Sequence, residues 1–304
     1  MRPVSQSAPA GRAGPGFPKV GWIGLSLLGT FVLLGAAGPV LARFPPRALS
    51  GGSVEPPSFE HLVGTNQLGQ DLASQLLFGA RSSLLVASIT AVGTLLLGAL
   101  VGVPAGWLGG KTDFVLMRAV DVVLAVPRLP LLIILGAYLG RDLVTIALVM
   151  SVVFWPPTAR ILRTEVRSLR QRLHLKAAQS FGGGAGHALR RHVLPELRLV
   201  IVATLVIAAS RVVLFEAGLA FLGLGDPSRT SWGSTMRDAQ MSRGLFYTRI
   251  WTWWMLPPAV AVTLVLLGFT FVGMALEDGV NPRLARHRPR RSPARLAVST
   301  TAAQ

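Results

Sequence analysis

Six long apolar stretches, separated by polar or strongly basic segments, set the pattern of the chain. Residues 20–42 carry no charge and exceed the roughly 20 residues a helix needs to cross a bilayer. Residues 82–110 are likewise uncharged. Residues 114–140 are apolar apart from Arg118, Asp121 and Arg128. Residues 143–159 end at Trp155-Pro156-Pro157, residues 199–225 are interrupted by Arg211 and Glu216, and residues 250–276 are again uncharged. The runs are continuous rather than alternating, which excludes barrel strands and predicts spanning helices. The expectation is an all-α membrane protein with six transmembrane helices. The first run is too long for the core of a cleaved signal, usually about 7–15 residues, and more spans follow it. It reads as a retained helix.

The segments between the runs divide the chain. Residues 1–19 are rich in Pro, Gly, Ala and Ser and read as a disordered tail. Residues 20–79 hold the first helix and a Pro-containing outer loop, residues 80–277 the main membrane domain, and residues 278–304 a basic tail. Six spans put both termini on one side. That side also takes the basic loop at 160–198, so it collects most of the Lys and Arg and is assigned to the cytoplasm.

Composition sharpens this. Hydrophobic residues make up 51% and charged residues 14%, and mean hydropathy is +0.53. A net charge of +17 would ordinarily suggest nucleic acid, but here the cations lie between membrane runs and no basic groove with interleaved aromatics is present. There is no cysteine, hence no disulfide, no thiolate nucleophile and no Cys-bound metal. His61, His174, His187, His192 and His287 have no metal-site spacing with carboxylates. No catalytic residues are assigned, and the chain is not expected to be an enzyme or to hold a cofactor.

Several constellations invite a function. Ala105-Gly-Trp-Leu-Gly-Gly110-Lys111-Thr112 comes close to a phosphate-binding loop, but it follows a membrane helix where such a loop must follow a strand. Any ATPase is therefore on another chain. Gly98, Gly102 and Gly106, four apart, give one helix face on which a neighbour can approach closely, and Pro104 between them is a candidate kink. The 160–198 loop reads as helix, Gly182-Gly183-Gly184 break, short helix, a shape suited to docking or to lipid headgroups. Arg211 and Glu216 are ionisable groups inside a span, either pathway residues or buried structural contacts. Five residues apart, they face different ways and do not suit mutual pairing. Arg118 and Asp121, three apart, do.

At Lys176-Ala177-Ala178-x-x-x-Gly182-x9-His192-Val193-Leu194-Pro195 the chain resembles the "EAA" loop of ABC importer permeases, in the oligopeptide/dipeptide/nickel branch. Leu62-Val-Gly-Thr-Asn-Gln-Leu-Gly-Gln-Asp71 with Leu76-Leu-Phe-Gly-Ala-Arg81 is similar to that family's approach to its second span. Glu216-Ala-Gly-Leu-Ala-Phe-Leu-Gly-Leu-Gly225 with Ser231-Trp232-Gly233 is similar to the end of its fifth span and the loop after it. The likeness covers about residues 60–282 and points to the second permease of a pair. It implies a type I importer fold. Its implied partners are a second permease, two ABC ATPases that hold ATP and magnesium, and an external solute-binding protein, in a bacterial or archaeal cell membrane. It implies that the loop ending at Pro195 is a cytoplasmic coupling helix seated in an ATPase groove. Peptides are the commonest solutes of this family, with nickel and other small solutes as alternatives. The chain departs from the pattern at Lys176, where the family has Glu, at Gly183 and Gly184, and at Asn66, Gln67, Gln70 and Gln75, where charges are usual. A membrane-embedded enzyme, which would need clustered His, Asp or Glu at membrane depth, has only Asp121, Arg211 and Glu216 as candidates; an ATP-independent secondary transporter is a further class of reading. The transporter would carry internal inverted repeats and broken helices at the membrane midplane, and the sequence displays neither.

Overall fold

The computed structural model describes residues 17–171, 186 and 189–280. Among these the chain is a helical bundle. Helix α1 is Lys19–Leu41, α2 is Leu72–Leu108, α3 is Gly110–Ala125, α4 is Arg128–Leu139 and α5 is Leu143–Arg170. A π-helical turn at Leu189–Val193 leads into α6, Leu194–Phe221. Helix α7 is Trp232–Gln240, α8 is a single turn at Trp251–Trp254, and α9 is Leu256–Val280. Five helical segments are long and apolar enough to cross a membrane, and six if α3 and α4 count as one bent span. The chain is a multi-pass membrane protein.

The third run is where the sequence reading needs correcting. Residues 114–140 are not one helix: α3 and α4 meet at 83°. Pro127 lacks an N–H and disfavours helical torsions in the residue before it. Val126 accordingly adopts φ −80°, ψ 127°, and the helix stops there.

Other spans are longer than their apolar runs. Helix α2 begins at Leu72 rather than 82, because Asp71 caps it by accepting from the Ser74 amide at 2.7 Å. It then runs through Pro104 to Leu108. Helix α5 continues through Pro156 and Pro157, past Ala159, to Arg170. Its last turns are amphipathic: Leu162, Val166 and Leu169 are buried, the latter two against Trp107, Val193 and Leu197, while Arg160 and Arg167 stay exposed. Helix α6 starts at Leu194 and ends at Phe221, where residues 199–225 were expected, since Pro195 opens its first turn and Gly223 (φ +85°) follows its end. The last helix reaches Val280, beyond the expected end at 276.

The core lies between α2, α5, α6 and α9, around Met150, Val153, Phe154, Val212, Val213 and Val265. At one end of the bundle, residues 42–71 and 222–250 form a cap. Trp232 fills it, donating from Nε1 to the Leu76 carbonyl at 3.1 Å and packing edge-on to Phe31. Beneath the 42–71 segment, His61 Nδ1 and Asp71 lie 3.0 Å apart, both almost wholly buried. Asn66, Gln70 and Gln75, the departures from charged residues, form an amide ladder: Asn66 and Gln75 both donate to Gln70 Oε1, at 2.8 and 2.9 Å. Their neutrality lets them pack without counter-ions.

Candidate functional site

The glycines on α2 find their neighbour in α5. A Cβ at Gly98 would press on the Thr158 side chain, at Gly102 on the Ala159 carbonyl, and at Gly106 on the Arg163 carbonyl. The two backbones touch along three turns. Helix α3 reaches the same helix through charge. The Asp113 carboxylate accepts both Nε and Nη2 of Arg163, and Asp121 accepts from Arg160 at 2.5 Å while Arg118 stands 3.9 Å away. The expected Arg118–Asp121 neighbourhood is present, with Arg160 as the nearer cation.

The two ionisable residues of α6 have opposite surroundings. Five residues make about 140° of helix rotation. Glu216 is 5% exposed, with the Ser83 and Ser231 side chains as polar neighbours, and its Oε2 has no hydrogen-bond partner among the described residues. It lines a small cavity, about 20 Å³, with Ser82, Leu143 and Asp226. Such a space admits one water. Arg211 is exposed, at a crevice with Phe154, Pro157, Ile161 and Ile207. The two do not pair.

Of the residues expected to form a coupling loop, Lys176, Ala177, Ala178 and Gly182 lie outside the described residues. His192 falls in the π-helical turn, Leu194 and Pro195 in the first turn of α6. That turn packs on the end of α5 through Val193 and Leu197, so the two ends of the loop are held on one cluster with Trp107 and Val166.

At the capped end a cavity of about 320 Å³ is lined by Arg47, Arg141, Arg229 and Arg237, with Asp226 and Asp238. Arg47 and Arg141 are tethered by donating to the Pro227 and Gly223 carbonyls. Three separate segments supply these arginines, so no local motif announces them. Asp226 also accepts the Leu143 amide at 3.0 Å, tying the start of α5 to the loop after α6. Next to it, Asp142 caps α5, and the Thr145 hydroxyl and amide hold its carboxyl below the usual carboxylate range.

Among the described residues there is no catalytic constellation; they form a framework of spans with two loop-borne ends. The family described as binding-protein-dependent transport system inner membrane component matches residues 95–286. The chain belongs to that family. The permease is similar to the oligopeptide transport system permease protein OppC of Bacillus subtilis (strain 168), 31% identical over 270 residues, covering 88% of this chain and 87% of that protein. It is also similar to a protein of Brucella suis biovar 1 named as a candidate peptide transport system permease, 35% identical over 265 residues, 86% of this chain and 87% of the relative. A candidate peptide permease of Brucella ovis is 33% identical over 228 residues, 75% and 74% of the two chains. The permease is thus of the ABC oligopeptide type that its motif order implied, a transport component rather than an enzyme.

Proposed function

We propose that this permease forms half of the translocation path of an ATP-driven importer for peptides. The likeness to oligopeptide and peptide permeases over most of both chains carries the proposal. Its partners are a second permease, two cytoplasmic ATPases holding ATP and magnesium, and an external binding protein that delivers the solute. Both termini face the cytoplasm of a bacterial or archaeal cell membrane, which the concentration of Lys and Arg around 160–198 and in both tails supports. The cap over α2 and α7 is then external.

In this reading the loop bearing Lys176, Ala177, Ala178, Gly182, His192, Leu194 and Pro195 docks on an ATPase. The shared packing of its two ends gives its displacement a rigid footing on α5 and α6. Lys176 meets a groove adjusted to a cation. Arg211, exposed at membrane depth, lies on the path, and Glu216, buried within this chain, holds α6 to α2 and the cap.

Reconstitution of the complex of both permeases, the ATPases and the binding protein tests the function. Uptake of tri-alanine that needs both ATP and the binding protein is the expected result. Uptake driven by an ion gradient without ATP refutes it. Lys176→Glu is expected to lower substrate-stimulated ATPase activity; an increase would show that the groove retains the usual preference for Glu.

A further inference from the structure

Two guanidinium groups stand near the middle of the membrane with no carboxylate among the described residues to neutralise them. Phe154 lies three turns below Leu143, the first residue of α5, or about 16 Å along the axis. Arg211 lies about 15 Å from Phe221, the end of α6. Those two helix ends meet at the cap, where Leu143 donates to Asp226. A bilayer's hydrocarbon core is about 30 Å thick, so both residues sit near its centre. The Arg128 guanidinium is 5.7 Å from the centroid of the Phe154 ring, and Arg211 lines the crevice that Phe154 walls.

Neither arginine has an ion pair among the described residues. Glu216 is buried on another face of α6, and Asp121 is engaged by Arg160 and Arg118. Helix α4 begins at Arg128 without a side-chain cap, so its first amides add partial positive charge at the same place. An arginine cannot shed its charge, and an uncompensated one at the bilayer centre is costly. A face carrying two of them is not lipid-facing. The described residues do not supply its counter-charge.

We infer that Arg128 and Arg211 form a carboxylate-binding station on the translocation path, and that its ligand is the carboxylate of a passing solute. The inference rests on the reading of this chain as half of that path. A transient anion fits better than a permanent ion pair with a partner chain. Arg211 is exposed in this subunit, and the π face of Phe154 gives Arg128 a resting partner when no anion is present. A site of this kind must hold its ligand weakly enough to release it.

The lack of cysteine makes the test clean on this subunit. Arg211→Cys and, separately, Ile207→Cys, which leaves both guanidiniums in place, are assembled into the full reconstituted complex. Thiol labelling of this chain is timed with an anionic and a cationic methanethiosulfonate of equal size, each normalised to its rate with a free thiol. The Ile207→Cys thiol is expected to favour the anionic reagent by about 10-fold, with the preference lost when Arg128→Gln and Arg211→Gln are added. Tri-alanine is expected to slow labelling, and tri-alanine amide to leave it unchanged. No labelling by either reagent in an intact complex would place lipid or a partner's carboxylate there and overturn the inference, as would equal protection by the amide. Absence of ATP-driven uptake by the unmodified complex would instead strike the importer reading, since the charge preference of labelling is read without transport.

Discussion

Helix α5 meets α2 and α3 in opposite ways. Against α2 the contact is uncharged and close, with glycine on one side and the Thr158 side chain and the Ala159 and Arg163 carbonyls on the other. Against α3 it is made of ion pairs at the tips of side chains, Arg163 to Asp113 and Arg160 to Asp121. The first contact has no slack, because backbone atoms cannot swing aside. The second can lengthen, exchange partners or hydrate. Helices α2 and α5 therefore behave as one rigid piece, and α3, ending at the Val126–Pro127 break, is the element able to move against it.

The largest effect is expected where the rigid contact is wedged. Gly102→Val would drive a branched side chain into the Ala159 carbonyl. Its cost should exceed the roughly 1–3 kcal/mol of ordinary overpacking, since the obstacle is main chain. Loss of folded permease from detergent extracts measures it, and a normal yield would show that the two helices can part. Gly98→Ala meets the Thr158 side chain and should cost about 1–3 kcal/mol, read as a lowered melting temperature.

On the α3 side, Asp113→Asn leaves Arg163, only 28% exposed, without its two-pronged partner. A loss of about 1–3 kcal/mol is expected. Exchanging the charges, Asp113→Arg with Arg163→Asp, should recover part of it in a double-mutant cycle. Arg160→Ala should cost under about 1 kcal/mol, less at high salt, since the pair is half exposed and Arg118 stands ready to replace it. Arg118→Ala, itself 69% exposed, should change nothing measurable. A large effect there would mean that α3 is buried against another subunit.

The spans were legible because apolar length is dictated by the bilayer, and the glycine spacing named a close helix contact before its partner was known. The break in the third span was also written in the chain, at Pro127, but a run counted by hydropathy does not register a missing N–H. The extension of α5 was hidden for the opposite reason. Arg160, Arg163, Arg167 and Arg170 end an apolar run, yet Leu162, Val166 and Leu169 continue its buried stripe. At the candidate site, the separate orientations of Arg211 and Glu216 followed from helix geometry alone. The closeness of Arg128 to Phe154 did not, because it depends on the 83° bend.

The hydrogen bond from Trp232 to Leu76 joins residues 156 positions apart. At a translation rate of about 5–20 residues per second, the second helix waits about eight to thirty seconds for the indole that completes its outer end. During that interval α1 and α2 stand in the membrane as a nascent hairpin with Ser83 and Gly79 uncovered. A ribosome stalled before residue 232 leaves the face of α2 at Gly79 without the indole that covers it.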